Sequence, residues 1–200
     1  MIEKEMDFKE NHFVSDALKK QINLLYKIES DHLIQHKIIQ AAEKLVGIYK
    51  NKGKLLICGN GGSAAQAQHL ATELVSRFYL DRQALNAESL AVNTSSITSI
   101  ANDYHFDQIF SRQIEAKGEK GDMLISLSAS GKSKNIIQAI KTACRFHMFT
   151  VALIGDDAST LPKCTDLVIA VPTDNIPQIQ EIHLFIGHLI CEYVERELFQ

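Results

Sequence analysis

The feature that most constrains the fold is a glycine turn between a short apolar run and an alanine-rich segment. Residues 55–58 (LLIC) suit a buried strand, residues 59–62 (GNGG) break it, and residues 64–73 favour a helix. A strand that passes through glycines into a helix presents free main-chain N–H groups and the positive end of the helix dipole at one point. This unit predicts an anion-binding site, for which phosphate is the usual ligand.

The same alternation of apolar runs and helical segments continues to the end of the chain. We predict strands at 54–58, 89–92, 123–128, 149–154 and 167–171, and helices at 64–78, 95–101, 110–116, 133–147 and 177–198. Nearly continuous apolar strands alternating with helices indicate a parallel sheet that is covered on both faces. We therefore predict an α/β fold, a three-layer, doubly wound, five-stranded parallel sheet in the order 2-1-3-4-5. Its ligands are expected beyond the carboxyl ends of the strands.

Two amphipathic helices are predicted ahead of the first strand. Apolar residues recur in both at three- and four-residue steps, and Ser30 is a candidate cap for the second helix. The first stripe comprises Val14, Leu18, Ile22, Leu25 and Ile28, and the second Ile34, Ile38, Ala41, Leu45 and Ile48. We divide the chain into a helical pair at 1–52, for packing or oligomerisation, and an α/β domain at 53–200.

Charge, hydropathy and cysteine usage narrow the functional class. A formal net charge of −3 gives no basic field for nucleic acid, and no apolar run reaches the length of a membrane span. The first residues (MIEKEMD) lack the apolar core of a secretory signal. Cys58, Cys144, Cys164 and Cys191 lie mostly in apolar runs without paired spacing, as expected of buried free thiols in a reducing compartment. We expect a cytoplasmic protein that binds neither nucleic acid nor membrane.

A second candidate phosphate loop follows the predicted strand at 123–128. Residues 126–133 (SLSASGKS) end like a P-loop, but Ser126 stands where that motif requires glycine, which argues against a nucleotide. Ser128, Ser130 and Ser133 can donate to phosphate oxygens beside free main-chain N–H groups. The alternative is that Ser130 or Ser133 only caps the following helix.

The first loop also has competing interpretations. Gly59, Gly61 and Ala64 satisfy a relaxed dinucleotide fingerprint, G-x-G-x-x-A. That fingerprint requires an acidic residue at the end of the next strand to hold the ribose, and Asn93 stands there instead. A dinucleotide is therefore disfavoured, whereas a purely structural turn remains open.

Several polar residues are candidate metal ligands or proton-transfer groups. His69 and Glu73 share one face of a predicted helix, and Gln180 and His188 share a broad face of the last one. These four side chains offer the nitrogen and oxygen donors of a divalent metal such as zinc, although glutamine is an unusual zinc ligand. A solvated His/Glu pair and hydrogen-bonded core histidines are the alternatives. The segment 102–104 (NDY) is an ordinary turn that should lie near the same rim.

Taken together, these motifs resemble the phosphoheptose isomerases of the sugar isomerase (SIS) domain family. The resemblance rests on residues 59–65 (GNGGSAA), 67–69 with Glu73, 102–104, 110–113 (FSRQ), 128–133, 179–183 (IQEIH) and 187–188, and it covers almost the whole chain. It implies a flavodoxin-like SIS domain in a homotetramer. It further implies conversion of sedoheptulose 7-phosphate to D-glycero-D-manno-heptose 7-phosphate through an enediol. That is the first step towards the nucleotide-activated heptose of lipopolysaccharide, capsule or S-layer sugars.

The resemblance also assigns roles to individual residues. The implied substrate contacts are Asn60, Gly61, Gly62, Glu73, Asn102, Asp103, Ser128, Ala129, Ser130, Ser133 and Gln180. The implied ligands of one Zn²⁺ per subunit are His69, Glu73, Gln180 and His188, and the implied acid/base pair is Glu73 and His188.

This chain departs from the family pattern at four positions, which are Gln83, Asn93, Ala129 and Gln178. Ala129 removes a hydroxyl from the phosphate loop, which weakens binding by about 1 kcal/mol if one hydrogen bond is lost.

Two other functions fit the same resemblance. One is a non-catalytic SIS regulator that associates with the replication initiator DnaA, and the other is a sugar-phosphate-sensing SIS module. Proteins resembling the regulator lack the acid/base and metal positions, and a sensing module would not need Glu73. The presence of all four ligand positions favours the enzyme.

Overall fold

The structure, a computed structural model, describes the backbone of residues 8–200 and the side chains from residue 12 onward. Helices α1 (Phe8–Ser30) and α2 (His32–Lys50) lead into an alternating α/β chain. The elements that follow are β1 (Leu55–Gly59), α3 (Gly62–Val75), β2 (Ala87–Ser89), α4 (Thr94–Asp103), a 3₁₀ turn (Phe106–Gln108), α5 (Ser111–Lys117), β3 (Met123–Ser128), α6 (Lys134–Arg145), β4 (Phe149–Ile154), β5 (Leu167–Ala170) and α7 (Ile176–Phe199).

The five strands form one parallel sheet in the order β2-β1-β3-β4-β5, which confirms the predicted fold class and strand order. Ile57 at the centre of β1 pairs with Ser89 on one side and Ile125 on the other. Helix α3 leaves β1 towards one face of the sheet, and α6 leaves β3 towards the other. The switch point, where doubly wound sheets bind ligands, therefore lies between β1 and β3.

Alternation along the strands builds two cores. Leu55 and Ile57 pack with α2, α3 and α7 on one face, whereas Leu56 and Cys58 pack with α5 and α6 on the other. Because successive strand residues point to opposite faces and both faces are covered, each central strand must be apolar throughout. This requirement explains why β1, β3 and β4 were readable from their apolar runs.

Two local predictions were wrong. The strand predicted at 89–92 is observed at Ala87–Ser89, because residues 90–92 turn towards α4; Leu90 is fully buried without belonging to a strand. Helix α2 is capped by Asp31, whose carboxylate accepts from the main-chain N–H groups of Leu33 and Ile34. Ser30 instead ends α1, and its hydroxyl donates back to the carbonyl of Tyr26 at 2.9 Å.

The prediction of four free thiols was also wrong. Cys144 and Cys164 form a disulfide with a Cα–Cα distance of 6.3 Å, whereas Cys58 and Cys191 are free and buried. The bridge joins the C-terminal end of α6 to the segment just before β5, at the amino edge of the sheet. Neither cysteine is fully buried, and their separation of 20 residues gives no paired spacing to recognise.

The apolar stripe of α1 is only partly covered by its own chain. Ile28 is buried with Leu24, but Val14 and Leu18 are each 58% exposed and Ile22 is 48% exposed. Helix α2, by contrast, buries its stripe in the same core as α7. In the described part of the chain, no helix combines the length and the apolar character that crossing a membrane requires.

Candidate active site

Two helices begin without a side-chain cap at the switch point. Helix α3 begins after Gly61 and α6 after Ser133, and neither residue's position carries a side-chain capping hydrogen bond. By contrast, Asp31, Asn93 and Asn175 cap α2, α4 and α7 with their side chains. Within the described chain, the N–H groups of Gly62 in α3 and of Lys134 and Asn135 in α6 have no acceptor, so they can bind an anion at the carboxyl edge of the sheet.

A pair of asparagines joins these two helix ends. Asn60 Nδ2 donates to Asn135 Oδ1 at 2.9 Å, and Asn135 Nδ2 donates to Asn60 Oδ1 at 2.7 Å. Asn135 is buried in the first turn of α6 and also accepts from the N–H of Ile136. Asn60 was a predicted substrate contact, whereas Asn135 was missed because nothing in the sequence marks a partner 75 residues away. The pair fixes the first glycine loop against the serine loop.

The serine loop contains hydroxyl groups that the fold does not use. Ser128 is 5% exposed, and its hydroxyl has no hydrogen-bond partner within the described residues. Ser133 holds the capping position of α6 without using its side chain, so the capping alternative is wrong for Ser133. Ser130 accepts from the N–H of Lys132 at 3.2 Å, which is a local turn contact. Buried hydroxyls normally have partners, so Ser128 indicates a ligand at this helix end.

The backbone of the serine loop is held from the neighbouring segment. Gly131 has φ of +66°, and a Cβ there would lie 2.7 Å from the carbonyl oxygen of Asp157, so both conformation and space require glycine. Lys132 Nζ contacts Asp157 at 2.9 Å. Hydrogen bonds from Ser159, followed by Lys132, hold the pKa of Asp157 well below its usual range. Ala129, a predicted phosphate contact, has no hydroxyl. Its main-chain carbonyl accepts a hydrogen bond from the N–H of Gly155.

Helices α3 and α7 bring His69, Glu73 and His188 together. His69 Nε2 lies 2.8 Å from His188 Nε2 and 3.3 Å from Glu73 Oε1. One ligand atom from each residue lies within 4.8 Å of the other two, which places two nitrogens and one oxygen around a single point. This donor set suits a divalent metal ion. If His69 and Glu73 were only a solvated surface pair, nothing would explain why His188 lies within 2.8 Å of His69.

The close approach of the two helices depends on Gly187. A Cβ at this position would lie 2.5 Å from both methyl carbons of Leu70, which is itself buried. Glycine at 187 therefore lets the backbone of α7 pack directly on a leucine of α3, one residue from His69 and one residue from His188.

Burial tunes the chemistry of His188. Partial burial lowers the pKa of His188, the neighbouring His69 lowers it further, and the charge of Glu73 opposes the shift. A neutral imidazole can either accept a proton or bind a metal ion.

Gln180 lies beside the first loop. A Cβ at Gly62 would be 2.8 Å from Gln180 Nε2, so the amide of Gln180 packs directly on the start of α3. Gln66, one turn along α3, donates from its side chain to the main-chain carbonyl of Gln180. Gln180 is thus adjacent to Gly62, on the helix that also carries His188.

Asn102 and Asp103 make no hydrogen bond to this group within the described residues. They end α4, and both are exposed. Asn102 donates to Asp103 at 3.0 Å, and Ser99 donates to Asp103 at 3.1 Å. Their hydrogen bonds in the described chain are local, so their contact with substrate stays a prediction.

Comparison with known proteins agrees with this architecture. The SIS domain family model matches residues 19–155. A phosphoheptose isomerase of Sulfurimonas denitrificans is 41% identical over 187 residues, which is 94% of this chain and 96% of that protein. One of Clostridium acetobutylicum is 44% identical over 188 residues, or 94% and 96%. The solved structure of a phosphoheptose isomerase from Neisseria gonorrhoeae superposes with a TM-score of 0.85 at 35% identity, covering 93% of this chain and 98% of that one.

The site and the comparisons lead to the same conclusion. The site combines an uncapped serine loop with a His/Glu/His cluster, and the two phosphoheptose isomerases above match 94% of this chain. The chain therefore belongs to the SIS domain family, among its phosphoheptose isomerases.

Proposed function

We propose that this chain is an aldose–ketose isomerase that converts sedoheptulose 7-phosphate to D-glycero-D-manno-heptose 7-phosphate. The observation that supports this most is the meeting of His69, Glu73 and His188 at the same edge of the sheet as the uncapped serine loop. The relatives named phosphoheptose isomerase cover 94% of the chain, which supports the substrate class. A binding protein would need the serine loop but not the cluster.

The serine loop would hold the phosphate. Ser128, Ser130 and Ser133 would supply hydroxyl groups, beside Ala129 and the free N–H groups at the start of α6. Asn60, Gly61, Gly62 and Gln180 would line the sugar, with Asn102 and Asp103 completing the pocket. The opening glycine turn then contacts the sugar end of the substrate.

Glu73 and His188 would move the two protons that the reaction requires. Glu73 would take a proton from C1 of the ketose while His188 gives a proton to O2, which yields an enediol. His188 would then recover its proton from O1 while Glu73 returns the first proton to C2, which leaves the aldose. His188 suits this shuttle because partial burial keeps its pKa below the ordinary value.

The same side chains fit a metal ion. We propose that His69, Glu73, Gln180 and His188 hold one Zn²⁺ per subunit; of these, the first, second and fourth already surround one point. A bound divalent ion supplies Lewis-acid polarisation of the substrate carbonyl.

The proposed assembly is a homotetramer in which the helical pair at 1–52 serves packing and the SIS domain spans 53–200. The exposed apolar residues Val14, Leu18 and Ile22 support an intersubunit role for α1. The product would enter the synthesis of activated heptose for surface polysaccharides in the cytoplasm.

The deciding experiment is an isomerase assay on the purified protein with sedoheptulose 7-phosphate, before and after chelation and after Zn²⁺ is restored. We expect turnover that chelation abolishes. Glu73→Gln should eliminate turnover and leave the assembly intact by light scattering. Absence of turnover in every metal state would favour a sugar-phosphate-binding regulator, and wild-type activity in Glu73→Gln would remove Glu73 from the mechanism.

A further inference from the structure

A buried ion pair lies behind the His/Glu/His cluster and contacts both helices that form it. Arg82 Nε lies 3.1 Å from Glu195 Oε2, and each side chain is only 2% exposed. We propose that Arg82 and Glu195 are positioning residues that hold Glu73 and His188 at metal-binding distance across the α3–α7 contact. This inference rests on the proposed function, because the cluster is taken as the reacting centre.

Arg82 fixes the end of α3. Its guanidinium donates to the main-chain carbonyls of Glu73 at 2.9 Å, Leu74 at 2.7 Å and Ser76 at 2.8 Å. The last carbonyls of a helix have no partner within the helix, and a cation is favourable at that end of the dipole. Because one of these carbonyls belongs to Glu73 itself, Arg82 acts directly on the backbone that carries the proposed base.

Glu195 fixes the chain that follows α3. Its carboxylate accepts from the N–H groups of Phe78 at 3.2 Å, Tyr79 at 2.8 Å and Leu80 at 2.9 Å. Burial alone would raise the pKa of Glu195, but these N–H groups and the charge of Arg82 hold it below its ordinary value. The carboxylate is therefore ionised, with partners around both of its oxygens.

The turn held by Glu195 contacts His188. The rings of Phe78 and His188 have centroids 5.7 Å apart at an interplanar angle of 35°. Glu195 and His188 both belong to α7, two helical turns apart. The pair thus connects the backbone of Glu73, the ring that packs on His188 and the helix that carries His188.

The chain provides a matched control in a second charged pair. Lys54 Nζ lies 2.8 Å from Asp122, whose side chain is 3% exposed. Asp122 likewise accepts from main-chain N–H groups, those of Lys54 and Glu119. These residues precede β3 and β1, so they lie at the amino edge of the sheet, opposite the cluster. Neutralising Asp122 should disturb folding without reaching the metal site.

The test compares Glu195→Gln and Arg82→Lys with Asp122→Asn. Zn²⁺ affinity of the metal-free proteins is measured by titration calorimetry, and thermal unfolding is followed by circular dichroism. We expect both variants of the positioning pair to lose about tenfold or more in Zn²⁺ affinity, as is usual when the groups that orient ligands are changed. Asp122→Asn should lower the unfolding temperature and retain wild-type Zn²⁺ affinity.

Kinetics give a second readout. We expect Glu195→Gln and Arg82→Lys to lower kcat and to leave KM for the sugar phosphate within about twofold, because the serine loop is untouched. Unchanged Zn²⁺ affinity in either folded variant would overturn the proposal. It would also be overturned if both variants failed to fold, or if the wild-type protein bound no Zn²⁺. Because Zn²⁺ affinity is measured without substrate, absence of isomerase turnover would reject the proposed function and leave this test intact.

Discussion

At the scale of the residue, we expect substitution of Ser128 to weaken ligand binding without lowering the stability of the fold. Its buried hydroxyl has no partner in the described chain, whereas the buried hydroxyl of Ser126 donates to the carbonyl of Val151 at 3.2 Å. Ser128→Ala should therefore leave the free energy of unfolding unchanged or slightly higher, and raise KM for the sugar phosphate about tenfold, as expected when a hydrogen bond to a charged group is lost.

Ser126→Ala is the matched control for this prediction, because it removes a satisfied hydroxyl from the same strand. Its unfolding free energy should fall by about 1 kcal/mol while KM stays at the wild-type value. Urea unfolding and steady-state kinetics measure both quantities. A Ser128→Ala variant that loses stability and keeps its KM would show that the hydroxyl serves the fold.

His183 should make stability depend on pH. It is fully buried in α7, neither ring nitrogen has a hydrogen-bond partner within the described residues, and burial lowers its pKa to about 4, a shift that the nearby main chain of Ile154 opposes only in part. Between pH 6.5 and 4 the unfolded chain then binds a proton that the folded chain does not. The free energy of unfolding should fall by about 3 kcal/mol as pH decreases through this window.

The measurement for His183 is urea unfolding at several pH values, with His183→Gln as the comparison. Since the variant has no imidazole to protonate on unfolding, the difference in unfolding free energy between wild type and variant should change with pH over this window. Parallel pH dependence in the two proteins would show that other groups cause it.

At the scale of the element, the contact between α3 and α7 sets the geometry of the cluster. Gly187→Ala would place a methyl group 2.5 Å from the methyl carbons of Leu70, so the helices must separate or Leu70 must move. We expect a loss of about 1–3 kcal/mol in unfolding free energy, typical of an overfilled core, together with weaker Zn²⁺ binding.

A second substitution tests whether this effect comes from helix spacing. Leu70→Ala in the Gly187→Ala background removes the clashing methyl groups and should restore Zn²⁺ affinity measured by calorimetry, even though the core loses leucine volume. If affinity stays low in the double variant, the spacing of α3 and α7 does not control the metal site.

The elements also show how far the sequence could predict the structure. The strands Met123–Ser128 and Phe149–Ile154 have their predicted bounds, because a strand buried on both faces must be a continuous apolar run. The edge strand Ala87–Ser89 was predicted two residues too late at its start and three at its end, since the burial of Leu90 looks the same in sequence whether the residue is in a strand or a turn. The pattern of apolar residues therefore predicts which residues are buried more directly than it predicts which residues form strand hydrogen bonds.

The candidate site was predictable where function leaves a local motif. The glycine turn and the serine loop predicted anion-binding helix ends. The family resemblance predicted that His69, Glu73 and His188 act together as metal ligands. Asn135, Arg82 and Glu195 were not predicted, because each acts through a polar contact to a residue far away in sequence; Arg82 and Glu195 are 113 residues apart. Such contacts carry no periodicity that a single sequence reveals.

At the scale of the whole molecule, α1 should decide the assembly. Leu18 and Ile22 lie on its exposed apolar stripe, outside the core of the single chain. Leu18→Glu combined with Ile22→Glu would place two charges in the proposed interface, where burial without partners is strongly unfavourable. We expect smaller particles by light scattering and an unchanged fold by circular dichroism. The exposed Lys19→Glu serves as the control and should leave particle size unchanged.

The disulfide between Cys144 and Cys164 makes part of this molecule a closed covalent ring. The ring contains β4 and the exposed residues 156–160, and it includes Lys163, an exposed trypsin site just before Cys164. Cleavage there should therefore leave a molecule that migrates with unchanged mass without reductant and separates into two fragments when reductant is added. Through Gly155 and Thr160, which bond to Ala129 and Gly131, the ring also reaches the serine loop. A nicked protein would thus keep its two fragments joined at the amino edge of the sheet, while Gly155 and Thr160 stay bonded to the serine loop.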